Sequence, residues 1–289
     1  MVSVIPRAII HRGMAPRRLF ELLRMKRIHI VGLSPRTGTT LMAECMAACF
    51  EIDAFEPHEA ELTRVRRNVN VYLTKSPADL MSAAPRLQFD RHFHVICMMR
   101  DPRDVVVSRH GRKPSHYWTP LRIWKGRAQA AGKLMRRPRF LTIRYEDFVR
   151  EPDATQMLIQ RHMPFLAPKQ RFSEYHAVAD PSPEALRALN GVRAIDASSI
   201  GRWRDHLPRL AGQLQRHGPI TRELIKFGYE QDDSWLAMLD GVEPDLAPSN
   251  LREHIPAGQR WRVWRRPRLR GFYSAALVLG ARAIGIKLV

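Results

Sequence analysis

The sequence predicts an α/β fold: three layers, with helices on both faces of a central parallel sheet. Two observations predict it. Short, continuously apolar runs of strand length alternate with longer segments whose apolar residues recur at helical spacing. The runs also lack the in–out alternation of a half-solvated sheet, as expected of strands covered on both sides.

Taken in order, Ile28–Gly32 (IHIVG) is a buried-strand run, and Gly38 to Phe50 carries apolar residues at helical period. Val69–Leu73 is a second strand, followed by Lys75-Ser76-Pro77, where Pro77 suits a first helical position. Phe93–Met99 (FHVICMM) is the clearest central strand, and Asp101-Pro102 opens the helix after it. Phe140–Ile143 is a further strand, and helical patterns cover 118–136, 153–163, 182–190 and 218–227. There is no internal repeat and no low-complexity tract.

With 289 residues, 45% of them hydrophobic and 26% charged, the composition is globular and excludes a disordered or fibrous chain. The net charge of +20 is the outlying figure, and 40 of the 48 basic residues are arginine. An anionic partner is implied, because the guanidinium fork matches phosphate and sulfate oxygens. Residues 1–27 carry +6 and residues 251–289 carry +8, which divides the chain into a basic N-terminal extension (1–27), an α/β domain (28–232) and a basic, partly apolar C-terminal extension (233–289). The last segment joins RWRVWRRPRLR to an apolar run, as in an interfacial helix or an arm for self-association, so contact with an anionic membrane surface and a homo-oligomer are both expectations. Cys45, Cys49 and Cys97 sit inside apolar runs and suit buried thiols in a reducing compartment. Arg7, His11 and Arg12 interrupt the first apolar stretch, which fits a signal peptide poorly, and the expected location is cytoplasmic or membrane-peripheral.

The informative stretch is Gly32-Leu33-Ser34-Pro35-Arg36-Thr37-Gly38-Thr39-Thr40, which leaves a strand and opens a helix. Backbone N–H groups and the helix dipole favour an anion there, with Gly38 admitting close approach and Thr37, Thr39 and Thr40 adding hydroxyls. A Walker loop needs four residues between its glycines and a lysine after the second; here there are five, and Thr39 follows. That disfavours an ordinary ATP or GTP hydrolase. A second motif, Arg100-Asp101-Pro102-Arg103-Asp104-Val105-Val106-Val107-Ser108, sets a guanidinium at a strand end and a hydroxyl two helical turns on, able to converge on another phosphate.

GLSPRTGTTLM resembles the 5′-phosphosulfate loop of the sulfotransferases, and RDPRDVVVSR closely resembles their 3′-phosphate motif. LTIRYEDFVREP and IGRWRDHL before FGY are similar to later family segments, so the resemblance spans about residues 28–232. It implies a P-loop-type fold and, as donor, 3′-phosphoadenosine 5′-phosphosulfate (PAPS). Arg36, Thr37, Gly38, Thr39 and Thr40 are then expected on the 5′-phosphosulfate, Arg100 and Ser108 on the 3′-phosphate, and Arg202 and Trp203 on the far side of the nucleotide. It further implies metal-independent in-line transfer of a sulfuryl group to a hydroxyl or amine; the basic terminal arms, rather than the resemblance, point to a carbohydrate or glycolipid acceptor. Arg36 and Lys75 are the expected electrostatic catalysts. Glu56, twenty residues after Arg36, is the first candidate for the general base and His58 the second. Glu59 and Glu61 are read as capping the next helix, Tyr145-Glu146-Asp147 as anchoring a strand end, and Trp118 and Trp124 as core or groove walls. No histidine pair has metal-ligand spacing. The rival readings are a small-molecule kinase and, more distantly, a basic nucleic-acid-binding protein; no helix-turn-helix, zinc-finger or RNP signature supports the latter.

Overall fold

A computed structural model describes residues 25–285 except Thr63, Val65, Arg67, Gly111 and Arg112; the side chains of His110, Lys113, Pro114, Arg260, Trp264 and residues 277–285 are also outside the description. The basic N-terminal segment therefore lies outside the described residues as far as residue 24. The elements run β1 (Lys26–Gly32), α1 (Thr39–Cys49), β2 (Ala54–Glu59), β3 (Val71–Lys75), α2 (Leu80–Phe89), β4 (Phe93–Met99) and α3 (Pro102–Val107). A short antiparallel pair follows, β5 (Arg109–His110) and β6 (Lys113–Tyr117), then α4 (Leu121–Leu134), β7 (Phe140–Arg144), α5 (Tyr145–Arg150) and α6 (Pro152–His162). The rest is helical: α7 (Tyr175–Val178), α8 (Pro183–Leu189), α9 (Leu207–His217), α10 (Thr221–Lys226) and α11 (Arg260–Gly285).

Five strands form one parallel sheet in the order β2-β3-β1-β4-β7. Their side chains alternate between two cores. Ile28, Ile30, Ile96, Met98 and Ile143 face α1, α5 and α6, while Val31, Val95, Cys97 and Met99 face α2 and α4. Because β1 lies between β3 and β4, the chain departs to opposite sides of it, and the carboxyl end of β1 is the switch point where open α/β sheets leave a crevice. The alternating strands and helices expected from sequence are thus present, with both sheet faces covered.

Several boundaries differ from the sequence reading. Ala54–Glu59 is an edge strand rather than a lead-in to a helix, so Glu59 caps nothing; it pairs with Lys75 in the sheet. Pro77 lies in the turn before α2 instead of at its first position. A third cluster, with Val106, Leu121, Trp203, Leu210, Leu224 and Trp235, fastens residues 203–235 onto α3 and α4. Its reach to Trp235 carries the packed body past residue 232. The C-terminal α11 lies on α2 of its own chain: a Cβ on Gly271 would fall 2.2 Å from the Ser82 carbonyl oxygen. Among the described residues no helix is long and apolar enough to cross a membrane.

Candidate functional site

The crevice begins in the loop between β1 and α1. Gly32 has room for no side chain, since a Cβ would lie 2.5 Å from both the Ser34 carbonyl oxygen and Thr37 Oγ1. Thr37 Oγ1 donates to the Ser34 carbonyl at 3.0 Å, and its side chain is wholly buried. The Thr37 hydroxyl is thus engaged in holding the loop. Gly38 closes the loop in a left-handed conformation, φ +86°, with the Tyr145 ring so near that a Cβ would sit 2.6 Å from it. No side chain caps α1, so its first amides are left for an external acceptor.

Arg36 is also left-handed, φ 71°, a conformation that costs a non-glycine residue about 1 kcal/mol or more. Partners hold it there. Arg36 Nε donates to Ser108 Oγ at 2.9 Å, and Arg100 Nη1 reaches the Arg36 carbonyl at 3.4 Å. Ser108 ends α3 as its C-cap, in extended backbone. The two motifs, 64 and more residues apart in sequence, therefore meet at one point.

Arg100 leaves the end of β4, stacks on Tyr145 (4.5 Å to the ring centroid) and donates to the Ser199 carbonyl. Its Nε is buried and has no hydrogen-bond partner among the described residues. Asp104, 3.8 Å from Arg100, accepts from the Gly201 and Trp203 amides at 2.8 and 3.0 Å. A buried carboxylate thus pins the turn that carries Arg202 beside Arg100. Asp104 is not among the site residues expected from the sequence; its i, i+4 relation to Arg100 is the available signal.

These residues wall a cavity of about 920 Å³ lined by Arg36, Gly38, Thr39, Thr40, Arg100 and Arg202, with Lys75, His58, Glu59 and Glu184 on another part of its wall. Lys75 Nζ donates to Thr40 Oγ1 at 3.1 Å, which ties the end of β3 to the start of α1. Burial lowers the Lys75 ammonium from its ordinary value, against the pull of Glu44 and Glu59. Burial likewise raises the Glu59 carboxyl. His58 Nδ1 lies 2.7 Å from Glu184 Oε2, a contact from β2 to α8. Tyr145 and Trp118 also line the cavity, Trp118 as a groove wall and Trp124 in the core.

Three other expected site residues, Glu56, Trp203 and Ser108, lie off the cavity wall. Glu56 does not line the cavity: its carboxylate accepts from Arg66 at 2.8 Å and Tyr72 Oη at 3.1 Å and pairs with Arg64 at 3.2 Å. Burial would raise its pKa, but those partners hold it below the ordinary carboxylate range, the opposite of a poised base. An irregularity in the β2–β3 register between Phe55 and Glu59 separates Glu56 from the His58–Glu59 end of the strand. Trp203 is a core residue, 1% exposed, packed edge-on against Trp235. Ser108 reaches the cavity through Arg36 rather than lining it.

No family model matches the chain, and no curated protein does. Among solved structures it is similar to the sulfotransferase domain from the curacin biosynthetic pathway, at 16% identity and a TM-score of 0.47, over 63% of this chain and 91% of that one. It is similar too to the sulfotransferase domain from the Synechococcus PCC 7002 olefin synthase, at 17% identity and 0.41, over 63% and 88%.

Proposed function

We propose that this protein is a sulfotransferase that uses PAPS to sulfate a hydroxyl or amine acceptor. The observation that carries the reading is the meeting of Arg36, Ser108 and Arg100 at the open N-terminus of α1. Cations with a buried, unpartnered guanidinium nitrogen, beside free helix amides and a glycine that no side chain can replace, suit an anion with more than one phosphate-like group. In this reading Gly38, Thr39 and Thr40 hold the 5′-phosphosulfate, Arg100 holds the 3′-phosphate with Ser108 positioning Arg36 beside it, and Arg202 takes the nucleotide's outer side.

The donor supplies the sulfuryl group that the acceptor oxygen or nitrogen receives as the bond to the 5′-phosphate breaks. Arg36 and Lys75 are the cations that offset the charge gathering on the leaving side. Thr40 fixes Lys75 in that position. The acceptor proton goes to His58. With Nδ1 donating to Glu184, Nε2 is left as the accepting nitrogen. Glu59, carried on the same wall, sets the polarity around the acceptor. The acceptor remains in the sequence-derived class of carbohydrates and glycolipids, and the three free, buried cysteines suit a cytoplasmic site of action.

Calorimetric titration with adenosine 3′,5′-bisphosphate, beside ATP and adenosine 5′-monophosphate, tests the reading. Micromolar binding of the bisphosphate, with neither comparator binding comparably, is the expected outcome. Tight ATP binding indifferent to a 3′-phosphate transfers the protein to the kinase reading.

A further inference from the structure

The C-terminal helix α11 is 26 residues long, about 39 Å, whereas α2, its principal partner, has 10 residues and spans about 15 Å. Contact is made through small residues. Gly271 meets the Ser82 carbonyl and the Pro85 ring, Ser274 and Ala275 are buried, and Arg86 donates to Ser274 Oγ at 3.3 Å. At the same level of the helix, Leu269, Phe272 and Tyr273 turn outward and are 56%, 51% and 57% exposed. Before them in the sequence, Arg262, Arg265, Arg266 and Arg268 are exposed and have no carboxylate partner among the described residues; of the arginines here Arg270 alone pairs, with Glu61. No acidic residue follows Glu253 in the sequence.

The exposed part of α11 thus mixes arginines with apolar side chains, Trp261 and Val263 among the first arginines and Leu269, Phe272 and Tyr273 at the end of the arginine run. A helix dipping obliquely into a lipid interface has this arrangement: guanidinium groups stay among phosphate headgroups while rings and leucine enter the acyl boundary. A second copy of the chain would have to accept uncompensated arginines, and a polyanion would leave Leu269 and Phe272 in water. We propose that α11 is an interfacial helix by which the protein docks on an anionic bilayer surface. The inference is independent of the proposed enzyme activity, since none of these residues lines the cavity.

The test is co-sedimentation of the full chain with phosphatidylcholine vesicles and with vesicles containing about a third phosphatidylserine. The protein is expected to pellet with the anionic vesicles and not the neutral ones. Each juxtamembrane arginine contributes about fivefold in partition, so the variant R262Q/R265Q/R266Q/R268Q should lose two orders of magnitude or more. The variant L269S/F272S/Y273S should keep only a weak association abolished by 0.5 M salt, about which the screening length falls to a few ångström. All seven positions are exposed, so an unchanged melting temperature and unchanged bisphosphate titration show that both variants fold. Absence of vesicle binding, equal binding to neutral vesicles, or binding that the apolar variant leaves intact overturns the proposal. So does a concentration-dependent dimer that the apolar variant dissolves and vesicles do not affect.

Discussion

Arg100 and Arg103 stand three residues apart in one motif, yet they belong to different machinery. Arg103 is buried and neutralised by two carboxylates: it pairs with Asp101 at 2.8 Å and Glu230 at 2.5 Å and lies between the Trp203 and Trp235 rings at 4.2 and 5.0 Å. Arg100 faces the cavity, spends its bonds mainly on backbone carbonyls, and keeps a nitrogen unpartnered. A guanidinium met by two carboxylates is structural, since its charge is neutralised within the fold. One met by carbonyls and a more distant carboxylate still has charge to offer a ligand. Position decides as well: the buried Arg27 also donates to carbonyls, those of Glu61, Leu62 and Arg64, but unlike Arg36 it does not line the cavity. High arginine content therefore indicates function only where the structure leaves the charge unspent.

The largest effects should split along that line. Arg36→Ala should cut kcat by about two to three orders of magnitude, as loss of a preorganised charge at a reacting centre does, while leaving the melting temperature near that of the parent. Arg103→Ala should do the reverse. It strands Asp101 and Glu230, costing about 3–5 kcal/mol and lowering the midpoint by roughly 10 °C in thermal denaturation. If Arg36→Ala unfolds the protein or Arg103→Ala leaves its stability unchanged, the division between spent and unspent charge fails.

Next in size is the split across the β2 irregularity. His58→Ala should reduce kcat about 100-fold. Glu56→Gln should change turnover little, because its partners Arg64, Arg66 and Tyr72 lie outside the cavity. Steady-state kinetics on both variants distinguishes them, and a Glu56→Gln enzyme as impaired as His58→Ala restores Glu56 as the base.

The sequence revealed β4 to the residue because, with both neighbours hydrogen-bonded and both faces covered, it is apolar at every position but His94, whereas the strand expected at Val69–Leu73 lies two residues later, at Val71–Lys75. It hid β2 for the opposite reason. AFEPHE contains a proline and two glutamates, tolerable only because β2 is the sheet's edge. Counting twenty residues from Arg36 then selected Glu56 without information about which way the strand would turn. The α9 helix was missed because Pro208 reads as a breaker, although it sits in the first turn where the absent N–H costs nothing. Trp203 was misplaced because an arginine–tryptophan pair at the edge of a motif cannot show that the ring enters the core while Arg202 lines the cavity.

A smaller, more specific effect belongs to Arg100. Arg100→Ala should weaken adenosine 3′,5′-bisphosphate binding by about 10- to 100-fold, the scale of one charge-assisted phosphate contact, and adenosine 5′-monophosphate hardly at all. Equal losses for the two ligands move Arg100 from the 3′-phosphate to the 5′ side. That result leaves the cation cluster intact but reverses the nucleotide within the cavity.

The last contrast is between two buried carboxyls. Burial would raise Glu253, but hydrogen bonds from His217, Ser249 and Gln213 bring it down to about 2. Glu44 is buried on α1 with Oε1 unpartnered among the described residues, and burial, opposed by Lys75, lifts it to about 6. The signs differ accordingly. Stability from Glu253 is present above pH 4.5 and fades as pH falls towards 2. The Glu44 contribution is present below pH 4.5 and lost as pH rises through 6, because the folded state holds that proton more tightly than the unfolded chain does. Glu44→Gln should therefore flatten the stability curve between pH 4.5 and 6 and raise stability at pH 8 by about 2 kcal/mol, measured by urea denaturation. If the variant is instead less stable at pH 8, Glu44 is charged in the native protein, and its attraction to Lys75 outweighs burial in holding the end of β3 against α1.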